Sequence, residues 1–179
     1  MSSIRERALD AAIGLVGSEG VRALTHGRVD AAAALPPGST SNHFRTRAAL
    51  VAGVIDRIAA AELTDAGVPP IADEQGLIAA LTHMIELQSG PHASRTRARY
   101  ALFIEADADA SAPLLVQRAR FEAWIRSILG TIGGRSAAGR TTFLMASAEG
   151  LLLHRLTVDA NAPVETNVRL AVRAVLQDP

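Results

Sequence analysis

The stretch ALPPGSTSNHFRTRAAL, residues 34–50, constrains the fold of this chain more than any other. Pro36 and Pro37 have no backbone N–H to give a helix, and Gly38 weakens one further. Apolar residues recur at helical spacing on both sides of this break, so the first fifty-odd residues must form several short helices. After the break come Ser39, Thr40, Ser41, Asn42 and His43, with no apolar side chain until Phe44. No acidic residue occurs between Ala31 and Ile55, although acids make up about a tenth of the chain. A short polar helix free of carboxylates has no apolar face to bury, which suits it to a surface that meets something else.

The remainder reads as helix too. Aromatic residues are only 3% of the 179, and alanine and leucine dominate, a balance that disfavours strands. A first helix opens at Ser3-Ile4-Arg5-Glu6, the pattern of a capping box, and Gly17 and Gly20 bracket its end. Thr25 is expected to cap a second helix carrying Val29, Ala32 and Ala33. Pro37 is expected at the first position of a third, where its missing N–H costs nothing. Thr46 is expected to cap a fourth, with Leu50, Val51, Val54, Ile55 and Ile58 on its buried side. The run TDAGVPPIADE, residues 64–74, reads as a linker. Five further helices are expected near 73–88, 92–107, 112–130, 136–156 and 163–177. The fold class is therefore all-α, with about nine helices: an N-terminal domain over 1–58 and a larger helical domain over 59–179.

Charge and composition narrow the function. The net charge is zero, but residues 1–58 carry seven Arg against five acids, and all eighteen basic residues of the chain are Arg. Arg presents fork-shaped donors suited to phosphate. There is no cysteine, hence no disulfide, thiolate nucleophile or cysteine-based zinc site. No apolar run approaches the length of a membrane span, and MSSIRERALD is not a signal peptide, so a cytoplasmic location is expected. No nucleophile elbow is present; Gly134-Arg135-Ser136-Ala137-Ala138 lacks its second glycine. His83 and Glu86 have no further ligand set to complete a metal site. Neither catalysis, metal nor cofactor is expected.

Three short helices, the last two joined by a tight turn, make a helix-turn-helix. Its third helix would enter the DNA major groove, with further phosphate attraction expected from the N–H groups at its N-terminus. The spacing of Ala11-Ala12, Gly20, Thr25, Val29, Ala33-Ala34-Leu35, Gly38-Ser39-Thr40, His43-Phe44, Arg47 and Leu50 resembles the N-terminal domain of the TetR family of transcriptional repressors. Asp30 stands where that family has Ala, Pro36 where it has Ser, Ser41 where it has Tyr, and Arg47 where it has Lys. The resemblance implies phosphate contacts from His26, Ser39, His43 and Arg47, and base-edge contacts from Pro37, Gly38, Ser41 and Asn42. Thr25 and Arg45 complete the expected DNA-binding set. The partner implied is double-stranded operator DNA.

A module with so few contacts needs two copies on a two-fold operator. The resemblance implies a homodimer built from the last two long helices. Small and apolar side chains there agree, and Leu144, Ala148, Leu151, Leu152, Val168 and Val172 are the expected interface. A small, mainly apolar effector is implied as a second partner. Its pocket is expected among Leu81, Met84, Gln88, Tyr100, Phe103, Phe121 and Trp124, where most of the chain's few aromatics concentrate. The alternative is a TetR-like DNA-binding or interaction module without ligand response.

Overall fold

The computed structural model describes residues 2–65, 71–105 and 108–177, and its described helices are α throughout apart from one 3₁₀ turn. The helices are α1 (Ile4–Glu19), α2 (His26–Ala32), α3 (Ser39–His43), α4 (Arg47–Asp65) and α5 (Glu74–Ser89). They continue with α6 (Ala93–Glu105), α7 (Ala108–Gly139), α8 (Thr141–Thr157) and α9 (Val164–Leu176). No strand occurs among the described residues. The chain divides into two compact units. The first joins residues 1–66 to 93–117, and the second joins 67–92 to 118–179.

In the first unit, α1 begins as its sequence requires. The Ser3 hydroxyl accepts from the Glu6 amide, and the Glu6 carboxylate accepts from the Ser3 amide at 2.8 Å. Those hydrogen bonds, the backbone one first, hold the Glu6 carboxyl below its ordinary pKa. Gly20 ends the helix at φ 82°, and the turn Val21–Ala23 leads to Thr25, whose side chain caps α2. Ala8, Leu9, Ala12, Ile13 and Val16 bury the inner face of α1 against α2, α4 and α6. Leu24, Val29, Leu50, Val54, Ile55 and Ile58 complete one core with Ala98 and Leu102 of α6. Asp10 on α1 and Arg57 on α4 form a two-pronged ion pair at 2.9 and 3.2 Å, which raises the Arg57 pKa.

The long contact of α1 with α6 depends on Gly17. A Cβ at this position would lie 2.2 Å from the backbone oxygen of Ser94, at the start of α6. Gly14, one turn earlier, has open space around it.

The second unit packs α5, α8 and α9 together with the later part of α7. Leu77, Ile78, Leu81 and Ile85 of α5, Ile125 and Leu129 of α7, Leu144 of α8, and Val168 and Val172 of α9 are all buried in this unit. Arg173 pairs with Glu74 at 3.0 Å, and Arg118 pairs with Glu149. Arg155 donates to the Ser89 hydroxyl at 2.8 Å and also to the Ala162 carbonyl, tying α8 to α5 and to the loop before α9.

Several expected boundaries move. The third helix starts at Ser39 and not at Pro37, because Gly38 takes φ 89°, outside the helical region. The fourth runs to Asp65, into the first residues of the expected linker. Residues 66–70 of the expected linker, and 106–107 of the expected break after the sixth helix, lie outside the described residues. The break expected at GTIGGRS shrinks to one non-helical residue, Gly134 at φ 73°, and α7 continues to Gly139. Its helix also begins before Pro113, which sits inside it.

Substituting Gly17→Ala forces α1 from α6 and is expected to cost about 1–3 kcal/mol, the range for overpacking a tight contact. Gly14→Ala, with space to spare, should be neutral or stabilising by about 0.5–1 kcal/mol. Urea unfolding of the two variants checks the pair.

Candidate nucleic-acid interface

Helix α3 spans five residues, too few to hold its own shape in water. Its N-cap residue, Gly38, offers no side chain to accept from the first amides. The acceptor comes instead from α2. Asp30 is 4% exposed, and its carboxylate takes three hydrogen bonds from the start of α3. Oδ2 accepts from the Gly38 amide at 2.8 Å. Oδ1 accepts from the Thr40 amide at 2.8 Å and from the Thr40 hydroxyl at 2.5 Å. Thr40 is completely buried.

One turn earlier on the same face of α2, His26 holds the other end. Its Nε2 lies 2.6 Å from the carbonyl oxygen of Phe44, the residue that ends α3. A carbonyl can only accept, so Nε2 carries the proton. Spaced four apart, Asp30 and His26 thus grip α3 by its first amides and its last carbonyl. Phe44 points its ring into the core, with the Arg5 guanidinium 5.3 Å from the ring centre. The α2–α3 turn is fixed from the backbone side as well: the Leu35 amide donates to the Asp30 carbonyl at 2.9 Å, and Arg7 of α1 donates to the carbonyls of Ala33 and Ala34.

Burial alone would push the Asp30 pKa up. The Thr40 side chain, the Thr40 amide and the Gly38 amide outweigh it, helped by nearby His26, and leave the carboxyl below its ordinary value of 3.8. This arrangement corrects one expectation. The amides of Gly38 and Thr40 at the start of α3 are spent on Asp30 and are not free for phosphate.

The ten residues expected to meet DNA all lie in this region and are exposed or half-buried, but they differ in what they have left to offer. The Thr25 hydroxyl accepts from the Arg28 amide, and His26 is engaged with Phe44. Pro37 is exposed and Gly38 half-buried in the turn. Ser39 and Ser41 donate their hydroxyls back to the carbonyls of Pro36 and Gly38, at 2.6 and 2.9 Å. Arg47 donates to the Val21 carbonyl at 2.9 Å. Asn42, His43 and Arg45 are exposed, and their side chains form no hydrogen bond or ion pair among the described residues. A polar, outward-facing set on a short clamped helix can lie against a nucleic-acid groove and donate to it.

The residues expected to form an effector pocket do not share one unit. Tyr100 and Phe103 are on α6 in the first, where Phe103 packs on the core and the Arg99 guanidinium lies 4.8 Å from the Tyr100 ring centre. Leu81, Met84, Gln88, Phe121 and Trp124 are in the second. There Leu81 is buried and the rings of Phe121 and Trp124 are 5.5 Å apart. Leu81 also borders a void of about 20 Å³ between α5, α8 and α9, room for no more than a water molecule.

Four of the six residues expected at a dimer interface are buried within the chain itself: Leu144, Leu152, Val168 and Val172. They serve the core of the second unit, while Ala148 and Leu151 stay partly exposed. The outward face of α8 and α9 lies one step round each helix. It is an open groove of about 710 Å³ bordered by Phe143, Leu151, His154, Leu170, Ala171 and Ala174. Phe143 and Leu170 are 55% and 64% exposed.

A sequence profile described as the tetracyclin repressor-like C-terminal domain matches residues 72–178, well over half of the chain. The chain belongs to the TetR family. Its fold agrees with solved structures along nearly its whole length. A TetR-family member from Streptomyces coelicolor A3 is 23% identical with a TM-score of 0.75, over 99% of this chain and 100% of that one. A transcriptional regulator from Rhodococcus sp. Rha1 is 20% identical with a TM-score of 0.80, over 97% and 96%. The multidrug binding protein EbrR, complexed with ethidium, is 24% identical with a TM-score of 0.66, over 98% and 100%. No curated protein matches the sequence. As a TetR-family chain this is a DNA-binding transcriptional regulator and not an enzyme. No described helix is long and apolar enough to cross a membrane.

Because the folded-state pKa of Asp30 lies below its unfolded value, its contribution to stability is fully present above about pH 4 and is lost as pH falls through the folded pKa. Wild-type protein should therefore lose stability on acidification below the ordinary Asp range. Asp30→Ala should be destabilised at pH 7 by roughly 1–3 kcal/mol, the cost of leaving buried donors unpaired, and should show a shallower acid limb. Denaturant titrations of both proteins from pH 3 to pH 7 measure this.

Proposed function

We propose that this protein is a ligand-responsive repressor that binds a palindromic operator as a homodimer and is released by a small, mainly apolar effector. The observation that carries the DNA part is the clamped α3, which turns Asn42, His43 and Arg45 outward with their hydrogen-bonding capacity unspent. In this reading Asn42 and Ser41 read base edges, with Pro37 and Gly38 close to them. Arg45, His43 and Arg47 meet phosphates, with His26, Ser39 and Thr25 alongside. The domain over 1–58 carries the DNA contact, and 59–179 carries effector binding and dimerisation.

The homodimer forms across the outer face of α8 and α9. Phe143 and Leu170 are apolar side chains that a single chain leaves in water, and Ala171 and Ala174 beside them let a partner helix approach closely. Two copies would set their α3 helices about 34–36 Å apart, one turn of DNA. An effector that prefers a different spacing weakens operator binding, and the operator weakens effector binding by the same factor. Leu81, Met84, Gln88, Tyr100, Phe103, Phe121 and Trp124 are its proposed contacts, and the ethidium bound by EbrR, a multidrug binding protein of similar fold, supports a small-molecule effector. A second reading, a DNA-binding module without ligand response, draws on the cavities. The two along α8 and α9 are not bordered by Phe121 or Trp124.

Selection of duplexes from a random library, with the protein's mass measured by light scattering, tests the proposal. A palindrome bound at twice the 18.7 kDa chain mass is the expected result, and a folded monomer that enriches no sequence contradicts it. On the selected duplex, Arg45→Ala should weaken binding to every sequence and lower the log–log salt slope by about 0.9. Asn42→Ala should instead change sequence preference, costing about 1–3 kcal/mol at one position. If both variants behave alike, the assignment of roles is wrong.

A further inference from the structure

The Asp30 carboxylate is the only side-chain acceptor on the first amides of α3 among the hydrogen bonds described, and it lies in a different helix. An ordinary N-cap sits beside the amides it satisfies and turns with them. An acceptor on α2 behaves differently, because it fixes the rotation of α3 about its own axis relative to α2. Oδ1 holds the amide and the hydroxyl of Thr40, and this residue alone of the five in α3 is buried. With Thr40 turned inward, Ser41 and Asn42 must point out. Oδ2 holds Gly38 at φ 89°, which sets where the helix begins.

We infer that Asp30 is a specificity-positioning residue: it never meets DNA, but it orients Ser41 and Asn42 for base readout. This rests on the DNA-binding reading of α3. Phosphate contacts made by long, flexible arginines tolerate a small rotation of α3. Base-edge hydrogen bonds from short side chains do not. The effect of losing Asp30 is therefore lopsided. Discrimination between sequences falls, while the sequence-independent affinity remains.

Asp30→Asn keeps the shape and one acceptor oxygen but sets an amide NH₂ against the Gly38 N–H. Thr40→Val removes only the hydroxyl bond, and Thr40→Ser retains it. Each variant is titrated with the duplex selected by the wild type and with a scrambled duplex, at fixed salt and well below its melting temperature. Asp30→Asn should lower the selected-to-scrambled affinity ratio by about tenfold, the size of one lost base contact, with scrambled binding within about twofold of wild type. Thr40→Val should lower the ratio by a smaller factor, and Thr40→Ser should restore it. An unchanged ratio in a folded Asp30→Asn protein overturns the inference. So does a parallel loss on both duplexes, which marks a residue that only stabilises the fold. Should Asp30→Asn fail to fold, Thr40→Val decides: a reduced ratio upholds the inference and an unchanged one overturns it. If the wild type itself selects no duplex, the DNA-binding reading of α3 falls and the inference with it.

Discussion

The candidate interface depends on one buried carboxylate. Helix α3 has five residues, no cap of its own and almost no apolar surface, so neither propensity nor burial explains why it holds its place. Asp30 supplies three hydrogen bonds at its start, and His26 supplies one at its end. Both come from α2, which is itself pinned to the core by Val29. A charge removed from water is costly unless its oxygens are satisfied, and here both are, by donors that would otherwise be buried and unpaired. Helix position and carboxylate burial thus support each other. The outer surface is left free of structural duty and available for polar residues chosen by function.

That trade explains the composition of residues 31–55. The acid-free window reads in the sequence as an electrostatic requirement of a DNA-facing surface, and the structure agrees for the exposed positions. The residue that organises the surface is the acid just outside the window. In the sequence Asp30 appears only as a departure from the Ala of related chains. Its partner Thr40 passes as one more small polar residue of α3. Nothing in spacing or periodicity shows that Thr40 turns inward, because the contact spans ten residues and a turn whose geometry rests on Gly38 at φ 89°. The sequence does carry one usable signal. His26 and Asp30 are polar residues four apart on a short helix whose only other polar side chain is that of Arg28.

Elsewhere local rules were legible where they act locally. The Ser3–Glu6 capping box and the Thr25 and Thr46 caps appear in the structure as the sequence implies. Choosing between the two apolar stripes of α8 and α9 was beyond periodicity. Leu144, Val168 and Val172 face inward, and Phe143 and Leu170 face out, with similar residue types on both sides. Gly133 and Gly134 read as a break, and Gly134 at φ 73° does interrupt the helix, leaving a short helical segment after it that ends at Gly139. Ala137 of that segment is buried.

The hold of Asp30 on the first amides of α3 is what fixes the interface. Amide hydrogen exchange of the DNA-free protein, resolved residue by residue by NMR, tests it most directly. Gly38 and Thr40 should be protected far beyond the exposed Arg45 and Thr46 that follow α3, and Asp30→Asn should abolish the protection of Gly38 first. Exchange of both amides in the wild type at the rate of an unstructured loop would contradict the account.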